Sequence, residues 1–189
     1  FGAQIISLTG SGVTTIALAL FAYQMVGGAT AATVIGNALM LRILAFLLFS
    51  QLAGILADRA NRKAILIIAD IVRCGLLALF PFVTEVWQIY AMIFAINAAT
   101  AFFTPVYEAS IPQVVGEAHY VKALSWSRVA VDVEALAAPM IAGLLIAMMG
   151  LRWVFWFDAA TYLISAALVA MTLLPRLAAS AAVVSLRGF

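Results

Sequence analysis

The sequence predicts an all-α membrane protein whose six spans form two inverted copies of three. Three observations predict it: a composition too apolar for a water-facing surface, six apolar runs of span length, and a short pattern that recurs. Of 189 residues, 67% are hydrophobic and 10% charged, and the mean hydropathy is +1.17. A soluble domain is about half apolar and about a quarter charged, so lipid is the solvent that fits. In lipid the backbone must satisfy its own hydrogen bonds, which leaves helices or a closed barrel. The apolar runs are long and do not alternate, which excludes barrel strands.

A span needs about 20 apolar residues. The runs fall at 1–26, 29–56, 63–83, 87–106, 126–149 and 153–174. Between them lie connections at 27–28, 58–62, 84–85, 107–125 and 150–152. The six-span bundle is expected to occupy 1–175, with 176–189 beginning a cytoplasmic linker. Both ends of the chain read as cuts in a longer protein. No basic stretch or cleavage site precedes the first run, so it is a span and not a signal peptide.

Orientation follows from the cations in short loops. Arg59, Arg62 and Lys63 lie at the second connection, Lys122 at the fourth, and Arg176 and Arg187 in the C-terminal segment. The opposite side carries Arg152 alone. Both termini are therefore expected on the cytoplasmic side, which requires an even number of spans. Trp87, Trp126, Trp153 and Trp156 fall at proposed span ends, where an indole prefers to sit.

The net charge of +2 and pI near 8.9 come from cations spread along the chain. No clustered basic face exists for nucleic acid. The single cysteine, Cys74, excludes an internal disulfide and a thiolate metal site. His119 lies in a loop, and there is no His-Glu-x-x-His and no cysteine beside a histidine. Neither catalytic residues, metal nor cofactor is expected.

Ala53-Gly54-Ile55-Leu56 at the end of span two resembles Ala142-Gly143-Leu144-Leu145 at the end of span five. Basic residues follow each, then an Asp within the next span, Asp70 and Asp158. The match sets spans one to three against four to six. Three is odd, so the copies point in opposite directions, as in the inverted repeats of transporters.

The stretch Gly54-Ile-Leu-Ala-Asp58-Arg59-Ala-Asn61-Arg62-Lys63 resembles the signature of the Major Facilitator Superfamily between its second and third spans. Gly54 permits close helix approach. Asp58 suits the N-terminus of a following helix, and Arg59, Arg62 and Lys63 hold the loop inside. Asn61 stands where the family often has Gly, and Asn suits a left-handed turn. The first span (Ile6-Ser7 to Ser11-Gly12), the fourth (Pro105, Ala109-Ser110-Ile111-Pro112) and the fifth (Tyr120 to Pro139, then Gly143) resemble the drug- and siderophore-exporter branch. The resemblance implies half of a twelve-span fold, with Pro139 and Gly143 shaping a break in span five. Two departures stand out. Ala138 replaces the Gly of a Gly-Pro pair, and the fourth span lacks the intramembrane Arg of proton-coupled exporters.

Charges at depth cost roughly 3 kcal/mol each and are functional candidates. Asp70 and Arg73 are spaced i, i+3 on one face and read as a structural pair. Asp158 reads as structural or interfacial. Arg42, Asp132 and Glu134 are the better functional candidates. Asp132 and Glu134 point about 200° apart, so one at most faces a central cavity. Ser7, Ser11, Thr14 and Thr15 line span one, where Asn97 and Thr100 of span four could face them.

The function expected is a secondary active transporter exporting small amphipathic molecules across the bacterial inner membrane by alternating access. Its partners would be that substrate, the lipid bilayer, protons as coupling ion and a second six-span half. The alternatives are an uptake permease of the same fold and a non-transporting membrane scaffold or sensor.

Overall fold

Apolar runs that cannot hydrogen-bond to lipid close their own ladders, and six helices among the described residues do so. The computed structural model describes residues 2–59, 61–115 and 117–172, with side chains except at 2–4, 57–59, 112–115 and 117–120. The helices are α1 (Gly2–Val26), α2 (Gly28–Arg59), α3 (Arg62–Leu79), α4 (Val86–Val115), α5 (Glu117–Met149) and α6 (Leu151–Met171). A 3-10 turn, Phe80–Phe82, finishes α3. Six helices are long and apolar enough to cross a membrane, and no strand occurs among the described residues. The expected linker at 176–189, with Arg176 and Arg187, lies outside the described residues.

The helices alternate in direction. The α2–α3 and α4–α5 junctions share one end of the bundle, called here end A. The α1–α2, α3–α4 and α5–α6 junctions share end B. Two end-B turns are single glycines, Gly27 at φ 72° and Gly150 at φ 86°. Only a residue without Cβ takes that conformation cheaply.

Packing follows the predicted repeat. Exchange α1 with α4, α2 with α5 and α3 with α6, and the contacts map onto one another. The α1–α6 contact becomes α4–α3, α2–α4 becomes α5–α1, α1–α2 becomes α4–α5, and α3–α6 maps onto itself. The departure is α5–α6, whose counterpart α2–α3 is slight. The pseudo-axis therefore passes through the α3–α6 contact.

At end B the core is aromatic. Phe80 and Phe155 stack at 4.5 Å, and Phe21 meets both rings edge-on, at 5.8 and 5.7 Å. Trp87, Trp153 and Trp156 lie exposed around this end, as an interfacial belt would. Trp126 is also exposed but lies within α5.

Three expectations change. The connection expected at 107–125 is mostly helix, because α4 runs to Val115 and α5 starts at Glu117. The segment is polar enough to leave lipid, but its Ala, Glu, Gln and Lys residues favour helix. At 33 residues α5 is about 50 Å long, against a hydrocarbon core of about 30 Å, so the surplus projects beyond the bilayer. Asn61 is not left-handed: its φ is −68°, and its side chain caps α3 by accepting from the N–H groups of Lys63 and Ala64. Pro139 and Gly143 do not break span five, since both lie inside continuous α5. A membrane helix tolerates the one bond that proline removes.

Candidate functional site: two carboxylates on either side of α1

α1 carries no ionisable group other than Tyr23, yet a carboxylate closes on each side of it. Gly10 and Gly12 are two residues apart, hence on different faces. A Cβ at Gly10 would run into the Asp158 carboxylate and the Thr161 hydroxyl of α6. A Cβ at Gly12 would run into Glu134 and lie 2.7 Å from Ala138 Cβ, both on α5. The missing side chains let α6 and α5 approach.

On the α6 side the polar groups are sealed. Asp70, Arg73, Asp158 and Ser165 are 0–3% exposed. Arg73 pairs with Asp70, and Ser165 donates to the other Asp70 oxygen at 2.8 Å. The guanidinium lies between two rings, 4.4 Å from the Phe103 centroid and 4.3 Å from that of Tyr162. Such sandwiching stabilises a desolvated cation by about 2 kcal/mol. Thr161 Oγ1 lies 3.1 Å from Asp158 Oδ1. Thr14 turns to the same carboxyl without reaching bonding geometry, its oxygen buried and unpartnered.

A crevice of about 170 Å³ between α1, α4 and α5 reaches this cluster. Arg73 is on its wall, with hydroxyls of Ser7, Ser11, Thr100 and Thr104. Ser11 and the Tyr162 hydroxyl hydrogen-bond at 2.7 Å. Glu108 and Arg128, 3.7 Å apart and largely exposed, flank the opening. Thr100 of α4 thus lines the same crevice as Ser7 and Ser11 of α1, whereas Asn97 turns back to the Ile93 carbonyl at 2.8 Å.

On the α5 side the surroundings are open. A groove of about 680 Å³ runs along α5 from Lys122 to Ile141, with Ile5 and Thr9 of α1 opposite. Its lining is apolar except for Thr9, Lys122 and Glu134, and Trp126 forms part of the wall. Glu134 is half-buried and Asp132 exposed, consistent with their different directions. Arg42 on α2 is exposed, and its charge acts on Glu134. The α2 and α5 spans are the least covered, 11% buried against 50% for α6.

The signature residues divide. Lys63 Nζ donates to the Ala170 and Thr172 carbonyls at the end of α6, at 2.5 and 2.8 Å. Arg62 donates to the Ala109 carbonyl of α4 at 2.7 Å. Lys63 thus caps α6 of its own bundle, while Arg62 ties the start of α3 to the body of α4. Gly54 is half-buried on α2 with open space where a Cβ would stand. The side chains of Asp58 and Arg59 lie outside the described residues.

A family model described as Major Facilitator Superfamily matches residues 1–188. The chain belongs to the Major Facilitator Superfamily. It is a multi-pass membrane protein of that superfamily's helical fold. Among its relatives is macrolide efflux protein A of Streptococcus pyogenes, 28% identical over 92% of this chain and 44% of that protein. Macrolide efflux protein A of Enterococcus faecalis is 28% identical over 73% of this chain and 44% of its own length. The uncharacterized MFS-type transporter YfiS of Bacillus subtilis (strain 168) is 28% identical over 69% and 31% respectively. The chain therefore spans less than half the length of these relatives.

Of the two readings open for Asp158, structural or interfacial, its burial fits the structural one; sequence reasoning missed Tyr162 altogether. Asp158, Thr161, Tyr162 and Ser165 follow i, i+3, i+4, i+7, the stripe of one helix face. That spacing could have revealed a polar seam.

Proposed function

We propose that this superfamily member is one half of an exporter of small amphipathic molecules, working across the bacterial inner membrane. End A and both termini face the cytoplasm in this reading, in line with Arg62, Lys63 and Lys122. A second six-span half covers the open faces of α2 and α5. Rocking of the halves exposes a midplane site alternately to either side, with Asp58 and its neighbours latching the cytoplasmic side.

The observation that carries this reading is the α1–α5 groove. It offers a long apolar wall, an indole and one carboxylate, Glu134, within the membrane. Those groups suit a molecule with a large apolar body and one basic centre. The relatives named for macrolide efflux make macrolides the first substrates to try.

The test uses the full-length protein in everted membrane vesicles, with uptake of a labelled macrolide and a lipophilic dye followed with and without a proton gradient. Gradient-driven uptake is expected in the wild type, falling at least about tenfold, or 1.4 kcal/mol, in both Glu134→Gln and Asp58→Asn. Absence of uptake in the wild type would overturn export and favour uptake or a non-transporting role.

A further inference from the structure

We infer that the α1–α5 groove takes an amphoteric ligand, whose basic centre meets Glu134 and whose carboxylate, or another oxyanion, meets Arg42 of α2. Arg42 is then a specificity-determining residue. This ligand class rests on the groove reading given above and narrows it.

Depth brings the groups together. α1 and α2 turn about Gly27, and α5 and α6 turn about Gly150. Gly12 and Arg42 each lie fifteen residues from Gly27, and Glu134 lies sixteen from Gly150. At a helical rise of about 1.5 Å per residue, all three stand about 22–24 Å from end B. α1 packs against both α2 and α5. One level of the membrane thus carries a cation on one neighbour of α1 and a carboxylate on the other. At that level α1 itself has no side chain, since Glu134 closes on Gly12.

Both charges are uncommitted. Among the described residues neither Arg42 nor Glu134 belongs to an ion pair. The guanidinium is exposed and acts on Glu134 through its field rather than by contact. A direct pair would lock α2 to α5 and occupy both groups. Held apart, Arg42 keeps its donors and Glu134 its lone pairs for a third molecule. Charges at this depth are costly to leave unanswered, and a ligand with both signs answers the two together.

The nearby charges do not take either part. Lys122 is the cation on the groove wall, but twelve residues separate it from Glu134, about 18 Å along α5. Arg73 is buried between two rings and paired with Asp70. Asp132 is exposed and, two residues from Glu134, points to another side of α5. A ligand that is only a cation therefore gains Glu134 and is repelled by Arg42. One that also carries an anion turns that repulsion into attraction, and the geometry selects between the two.

The deciding experiment measures binding of two dyes with one apolar body to the full-length protein in detergent micelles. Rhodamine B carries a carboxylate beside its cationic xanthene, and its ethyl ester carries the cation alone. Fluorescence anisotropy gives a Kd for each. In Arg42→Gln the ratio of the two Kd values is expected to move about five- to tenfold against rhodamine B. Arg42→Lys, which keeps the charge, should move it less, and binding of the ester reports that the groove is still formed. Glu134→Gln should weaken both dyes. A ratio unmoved by Arg42→Gln, or an equal loss of both dyes, would overturn the role of Arg42 alone, provided Glu134→Gln weakens both. If Glu134→Gln changes neither, or the wild type binds neither dye, the groove reading fails and the amphoteric ligand fails with it.

Discussion

The two flanks of α1 hold the same chemical group in opposite settings. Asp158 meets Gly10 in a sealed seam with Arg73, Asp70 and ring faces around it. Glu134 meets Gly12 beside an open groove, its balancing cation Arg42 exposed on another helix. The sealed flank has few ways to relax, because desolvated charge must be matched within the protein. The open flank can borrow water or a ligand. Burial thus separates a site that ties folding to charge from one free to serve binding.

The comparison breaks first at Arg73. Arg73→Leu leaves Asp70 buried without its cation and is expected to cost about 3–5 kcal/mol, measured as unfolding free energy in detergent micelles. Adding Asp70→Asn should recover a good part of that loss. An unaltered stability in the single variant would mean the seam is wetter than its burial indicates.

Next come the glycines. Gly10→Ala forces its methyl against groups that cannot swing away, and about 1–3 kcal/mol is expected for such overpacking. Gly12→Ala meets the mobile end of Glu134 and, at 2.7 Å, Ala138 Cβ, so a smaller loss is expected. Thermal unfolding of the pair side by side checks the order, and a reversal would contradict the difference in rigidity between the flanks.

The smallest stability effect belongs to Glu134→Gln. A half-buried group beside open space should change stability by less than about 0.5 kcal/mol while uptake falls. A large destabilisation would show that Glu134 is structural after all.

Much of this was legible beforehand. Length and hydropathy placed the six spans, and the Ala-Gly-aliphatic pattern with its downstream aspartates placed the repeat. The i, i+3 spacing put Asp70 and Arg73 on one face. Whether Asp158 met lipid, water or Arg73 depends on which helices share the pseudo-axis, a long-range fact no local spacing contains. The helical run past Tyr107 was hidden for another reason. Polarity marks the exit from lipid, whereas helix termination depends on caps and breakers, and the two need not coincide.

Lys63 has a mechanical consequence. Its ammonium grips the last carbonyls of α6, at Ala170 and Thr172, and its main chain begins α3 beside the signature turn. Tension on the polypeptide beyond residue 172 therefore acts not only on the packing of α6 but also, through one ammonium group, on the α2–α3 corner. That corner acts as a bollard around which the departing chain is moored.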